Sequence, residues 1–343
     1  MTKNLGQTPL SVLDLAPIRE GKSLADTFAA SLTLARYVES LGYKRFWLAE
    51  HHNLAGVASS ATSILIGYIA SGTTKIRVGS GGIMLPNHAP LMVAEEFGTL
   101  ETLYPGRIDL GLGRAPGTDQ ETMRALRGHL GPEVDFAEQV QQLQYFFAPI
   151  RPGQRLRAIP GANLSIPIWI LGSSLYSAHL AAALGLPYAF AGHFAPEEML
   201  AAVAIYRREF QPSDVLKNPY VMIGTQAVAA DTDEEADFLA TTLYMRFLGL
   251  LRNQRTALQP PVKDTSDLWS PAERGAVLNR LRYAAIGGSA KVADSLQNLI
   301  DLTQADELII NSEPYEDAAR LRSFEILGSL SLARPRFEAG SRK

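Results

Sequence analysis

The sequence predicts an α/β fold, a closed (β/α)8 TIM barrel formed by one domain over residues 1–343, with insertions after the fourth and seventh strands. Three observations predict it. Eight short β-rich runs alternate with segments of helical period. The polar and glycine residues that interrupt the apolar pattern gather at the C-terminal ends of those runs, the face on which such barrels carry chemistry. Two long stretches, 114–133 and 251–272, break the rhythm where barrel enzymes place functional loops.

In chain order, "PLSVLDL" (9–15) reads as the first strand and ends around Asp14. Leu24, Phe28, Ser31, Ala35 and Val38 then recur at helical spacing, and Gly42 stops that helix. "YKRFWLA" (43–49) is the second strand; "SSATSILIGYIASG" follows as a helix capped by Ser59 or Ser60. "KIRVGSGGIML" (75–85) is the third, with a glycine cluster inside it. A helix from about Pro90 to Leu103 leads to "GRIDLGLG" (106–113), the fourth. "IPIWILGSS" (166–174) precedes a helix through Leu184, and "LPYAFAG" (186–192) one through Phe210. "PYVMIGTQAVAA" (219–230) precedes a helix through about Leu250. "ADELIIN" (305–311) closes the set, and its helix carries Leu321, Phe324, Leu327 and Leu330.

Apolar residues make up 46% of the chain and charged ones 20%, an ordinary globular balance. A net charge of −3 without any basic block gives no reason to expect nucleic acid or an anionic membrane as partner. The absence of cysteine excludes disulfides, thiolate metal sites and a cysteine nucleophile. "MTKNLGQTPLSVLDL" lacks the basic and long apolar regions of a signal peptide, and no apolar run approaches the ~18 residues of a membrane helix. A cytoplasmic protein is expected.

The unusual side chains sit at strand ends. "WLAEHHN" (47–53) sets Glu50, His51, His52 and Asn53 behind the second strand. Adjacent residues of an extended chain point to opposite faces, so the two imidazoles do not share one purpose. No HExxH or spaced His–carboxylate set accompanies them, so no metal is expected. His88, His129, His179 and His193 belong to no pattern. Gly79-Ser80-Gly81-Gly82, on an otherwise β-branched strand, marks a bulge, a tight bend or the close approach of a flat ligand.

"GLGRAPG" (111–117) resembles a dinucleotide loop, but its spacing is GxGxxxG, Pro116 interrupts it, and no acid-ended strand follows. Arg114, leaving the fourth strand, either grips a phosphate bidentately or pairs with a surface acid. "LGSSLYSA" (171–178) places hydroxyls where a strand enters a helix, a ready anion site. Ser174 and Ser177, three apart, face the same way there. Ordinary capping by Ser173 or Ser174 is the other reading. No GxSxG elbow supports a serine hydrolase.

Taken together and in this order, these residues resemble the bacterial luciferase-like family of flavin-dependent monooxygenases. The resemblance is carried by "GYKRFWLAEHHN", by "TTKIRVGSGGIMLPNHAPLMVAEEFGTLETLYPGRIDLGLGR" and by "ADELIIN". It implies FMN, used as reduced flavin with dioxygen to oxidise a small aldehyde- or ketone-like substrate. A separate reductase would supply the reduced flavin, and a homodimer is implied. Arg114, Ser174 and Ser177 would hold the FMN phosphate. The family's non-prolyl cis peptide under the flavin ring falls on Gly81-Gly82, and its catalytic histidine on His51, with Glu50 and Asn53 beside it. Asp14, Ser80, Gly172 and Ser173 complete the expected cofactor contacts. Gly113 stands where light-emitting members carry a reactive cysteine, and Ser173 where an acidic residue is usual, so light emission is not implied. A deazaflavin-dependent hydride transferase of the same fold and a non-catalytic flavin-binding protein are the alternatives. The 251–272 segment is expected to be a lid, anchored by Trp269, that closes over the barrel mouth when ligand is bound.

Overall fold

The computed structural model describes residues 3–127 and 135–331; His129 and the rest of 128–133, in the first excursion, lie outside them. The strands are β1 (Leu10–Asp14), β2 (Arg45–Leu48), β3 (Arg77–Ser80), β4 (Ile83–Met84) and β5 (Ile108–Gly113). They continue with β6 (Ile168–Gly172), β7 (Tyr188–Phe190), β8 (Val221–Ala229), β9 (Ala285–Gly287) and β10 (Glu307–Asn311). Every pairing between them is parallel. The ring runs β10-β1-β2-β3-β5-β6-β7-β8 and closes because β10 pairs with both β1 (Leu308 with Leu10) and β8 (Leu308 with Ile223). These eight are the eight runs read from the sequence.

The other two strands are additions. "KIRVGSGGIML" is one run in the sequence but two strands in space: β3 pairs with β5 at Gly79, and β4 resumes along β5 at Ile83. The cis peptide Gly81-Gly82 lies between them. β9 extends the far end of β8, Ala285 beside Ala227.

The helices are α1 (Leu24–Ser40), α2 (Thr62–Ser71), α3 (Pro90–Leu103), α4 (Gln120–Arg127), α5 (Phe136–Phe147) and α6 (Leu175–Leu184). After them come α7 (Met199–Glu209), α8 (Asp233–Leu251), α9 (Pro271–Arg280), α10 (Ser289–Thr303) and α11 (Asp317–Ser331). Two begin with capping boxes, Ser23 with Asp26 and Ser270 with Glu273, which satisfy N–H groups the helix itself leaves unpaired.

Strand side chains alternate between two apolar layers. Val12, Phe46, Val78, Leu110 and Ile170 face the helices. Leu13, Trp47, Trp169, Met222 and Ile309 fill the ring, with Trp47 and Trp169 edge to face at 5.2 Å. The N-terminal end of the ring is closed by buried charge. Arg45 spans Asp109 (2.6 Å) and Glu307 (3.0 Å), Arg77 also reaches Asp109 (2.7 Å), and Trp47 Nε1 donates to Asp109 (3.1 Å).

Asp109 is fully buried. Removing it strands the cations that it neutralises, so Asp109→Ala is expected to cost about 3–5 kcal/mol. Urea denaturation reads this as a lower midpoint at unchanged slope. A loss under about 1 kcal/mol would show that the cluster does not hold the barrel floor.

Candidate active site

The opposite end of the ring is built by loops that leave β2, β5, β6, β7, β8 and β10. The β2 loop is laced to the β5 loop residue by residue. His51 Nδ1 meets the Gly117 carbonyl at 3.2 Å, Thr118 Oγ1 donates to the His52 carbonyl (2.9 Å), and Asn53 Nδ2 donates to Asp119 (3.4 Å) and Thr122 (3.0 Å). Gly117 has a φ of +64°, which favours glycine, and a Cβ there would sit 3.0 Å from the Glu50 carbonyl.

Glu50 is buried, with 1% exposure. Its Oε1 accepts from His52 Nε2 (2.9 Å) and His88 Nε2 (2.8 Å), and its Oε2 from the Met84 amide (3.0 Å). Burial pushes this carboxyl up, but the bonds from His52, His88 and Met84 outweigh it and hold the pKa at about 2. Burial lowers His88, the Glu50 bond raises it, and the bond prevails. The ligand atoms of Glu50, His52 and His88 lie within 4.8 Å of one another, a set that could hold a cation. The imidazole N–H groups satisfy the carboxylate without one.

His51 is held differently. A carbonyl only accepts, so the bond to Gly117 places the ring proton on Nδ1 and leaves the Nε2 lone pair free to take a proton. Burial lowers its pKa below the usual 6.5, and Arg246 and Arg255 lower it further against the opposing pull of Gly117 and Glu50.

At the β5–β6 side, Arg114 is exposed and lies over the Tyr176 ring at 4.2 Å. Among the described residues no acid pairs with it. Tyr176 stands in the first turn of α6, whose N-cap, Ser174, makes no side-chain capping bond. The structure therefore brings Arg114 to the open end of this helix, beside half-buried Gly172 and Ser173. Ser177 is buried, and its hydroxyl donates to the Ser174 carbonyl (2.8 Å) and meets Tyr188 OH (3.2 Å). Contact between Ser177 and an anion would require its hydroxyl to leave that carbonyl.

Two more expected cofactor residues are engaged with protein. Ser80 Oγ donates to the Gly111 carbonyl (2.8 Å) and accepts from the Gly111 amide (3.0 Å), stitching β3 to β5. Asp14 Oδ1 accepts from Arg320 (2.8 Å) and the Ala16 amide (3.0 Å), while its buried Oδ2 has no partner. Gly81 and Gly82 lie against neighbouring strands: a Cβ on Gly82 would meet the Gly111 carbonyl at 2.7 Å.

The sequence reading passed over several residues of the mouth. His193, after β7, has a buried Nδ1 without a partner, and burial, with His51 and Arg246 nearby, holds its pKa at about 3. Gln226 Oε1 is likewise buried and unpartnered, and Gln226 sits beside Asn311 in the β8–β10 register. Arg246 on α8 pairs with buried Glu313, just past β10. Only the closing of the ring brings these positions together, so no local sequence signal marks them.

Because Glu50 is held below its unfolded value, its contribution to stability is present above about pH 4.5 and lost as pH falls towards 2. His88 is raised, so its contribution is complete below 6.5 and lost as pH rises through its folded pKa. NMR titration is expected to place His88 above 6.5, and Glu50→Gln to return it to 6.5 or below. An unchanged His88 in that variant would show that the carboxylate does not hold the loop.

The described helices include none long and apolar enough to cross a membrane. The family profile described as luciferase-like monooxygenase matches residues 8–305. YvbT of Bacillus subtilis (strain 168) is 55% identical over 94% of this chain and 96% of its own length. A luciferase-like monooxygenase of Escherichia coli (strain K12) is 51% identical over 92% of this chain and 95% of its own. The solved structure of apo-MsnO8 superposes with a TM-score of 0.86 at 34% identity, covering 97% of this chain and all (100%) of that one. More distant structures share the fold alone: the oxygenating constituent of 3,6-diketocamphane monooxygenase in complex with FMN (17%, TM-score 0.68) and an F420-dependent secondary alcohol dehydrogenase (14%, 0.64). Its closed parallel barrel and a profile match along most of its length establish that this chain belongs to the luciferase-like monooxygenase family and is a flavin-dependent oxidoreductase.

Proposed function

We propose that the protein is an FMN-dependent monooxygenase that uses reduced flavin and dioxygen to oxidise a small aldehyde- or ketone-like substrate. The observation that carries the cofactor assignment is Arg114 lying over Tyr176 beside the uncapped N-terminus of α6. A guanidinium and free helix N–H groups are a matched donor set for a phosphate. Ser173 and Ser174 add hydroxyls, Ser177 fixes the Ser174 carbonyl, and Gly172 admits the Ser177 side chain, which a Cβ would displace. Ser80, with Gly81 and Gly82, offers a flat backbone surface for the ring, and Asp14 has only Oδ2 left to offer. Reduced flavin, when bound, supplies the two electrons needed to place one atom of dioxygen on the substrate.

The chain's own contribution is acid–base and positional. His51 takes or returns a proton through Nε2 while Gly117 fixes its tautomer. Glu50 and Asn53 act on His51 by holding its loop. A separate reductase supplies the flavin, since the sequence carries no nicotinamide fingerprint. The proposal also takes residues 1–343 as one domain of a cytoplasmic homodimer.

Arg114→Ala is expected to weaken FMN roughly ten- to hundredfold while leaving riboflavin affinity unchanged. FMN affinity equal to wild type, or tighter binding of F420 than of FMN, overturns the cofactor assignment. His51→Ala should lose about 10²–10⁴ of turnover at unchanged FMN affinity. As the unprotonated form is the active one, wild-type kcat/KM should fall on the acid side through a pKa below 6.5. An acid limb that persists unchanged in the residual activity of His51→Ala would remove His51 from the reaction.

A further inference from the structure

A second cationic pair lies across the ring from Arg114. α8 ends at Leu251, and Asn253, with φ +55°, turns the chain back over the mouth. The returning segment is tied on both sides of Arg255. The Gln254 amide donates to Gly249 (2.7 Å), the Leu258 amide to Ile18 (2.8 Å), and the Glu20 amide to Leu258 (2.9 Å). Leu258 is 3% exposed, and Trp269 packs on Tyr244 at 5.5 Å beyond it. On the facing β2 loop, Gly56 is needed because any Cβ there would strike the Thr256 carbonyl.

The result is a small cavity between α8, this segment and the β2 loop. Arg246, Arg255, Thr242, Gln259 and Leu54 line it. Arg246 is neutralised by Glu313. Arg255 is exposed, and among the described residues no acid pairs with it. Both guanidinium groups lie close enough to His51 to disfavour its protonation. The cavity therefore holds one uncompensated positive charge, Arg255, within electrostatic reach of His51 and backed by a second guanidinium.

We propose that the substrate carries a carboxylate, received in this cavity by Arg255 with Arg246, already paired with Glu313, behind it, and with its reacting end directed to His51. The proposal rests on the mouth being the active site. Ring order separates this cavity from the phosphate site: Arg114 and α6 adjoin β5 and β6, whereas Glu313 follows β10 and Ile18 follows β1. A flavin held by its phosphate at Arg114 thus leaves this cavity to another anion. A guanidinium fork matches a carboxylate in geometry and charge, and an amide of the same shape cannot supply the charge.

The test uses the full chain saturated with FMN and matched probes: levulinate and levulinamide, hexanoate and hexanamide, benzoate and benzamide. Calorimetry should find at least one acid bound roughly tenfold or more tighter than its amide. Arg255→Gln, a change at an exposed position, should abolish that preference and leave FMN affinity intact. No acid preference in any pair, or a preference that survives Arg255→Gln, overturns the proposal. Loss of FMN affinity in Arg255→Gln also overturns it, by showing that this guanidinium serves the cofactor. Failure of the phosphate assignment is separately visible, as Arg114→Ala with unchanged FMN affinity and an intact acid preference.

Discussion

A buried carboxylate must be satisfied by the protein, and the one that ties the β2 loop to β4 at this barrel mouth is Glu50. Its two oxygens take three donors from two places in the chain: His52 on its own loop, and the Met84 amide at the end of β4 with His88 just beyond it. The bonds more than offset the cost of burial, which is why the group stays ionised. They also fix where the β2 loop can lie relative to β4. With Glu50 and His52 turned to the wall, the residue between them, His51, presents its ring to the Gly117 carbonyl and its free nitrogen elsewhere. The adjacent histidines thus answer to different constraints, His52 to the Glu50 carboxylate and His51 to the Gly117 carbonyl.

The rest of the mouth divides by charge. Arg114 and the α6 N-terminus form one cationic edge; Arg246 and Arg255 form another across the ring. Between them stand His51 and His193, both shifted towards the neutral form by burial and nearby positive charge. Two anionic groups at fixed separation would orient a cofactor and a substrate more firmly than apolar contact alone. Orientation of that kind is one of the protein's own contributions to rate when a cofactor carries the chemistry.

The ring was legible because parallel strands buried on both faces read as short apolar runs, and all eight such runs became ring strands. β9 is three residues long, too short to show a period, and α10 was not recognised although Val292, Leu296 and Leu299 are its buried stripe. β3 and β4 read as one strand because the cis bond between Gly81 and Gly82 leaves no mark on apolar pattern. The family resemblance, not periodicity, placed that bond. The strand-end position singled out Arg114, and the family resemblance singled out His51. Glu50 stands beside His51 in the sequence, but one of its partners, His88, belongs to no sequence pattern. Partners brought together from loops 38 residues apart, as here, cannot be read from a local pattern.

On the proposed function the two cationic edges are not interchangeable, and the flavin phosphate belongs to the β5–β6 edge. A crystal structure with FMN bound tests it most directly. The phosphate is expected within hydrogen-bond distance of Arg114 and the first-turn amides of α6, with the ring plane against Gly81-Gly82 and His51 Nε2 facing it. A phosphate seated on Arg246 and Arg255, with Arg114 left over Tyr176, would contradict it.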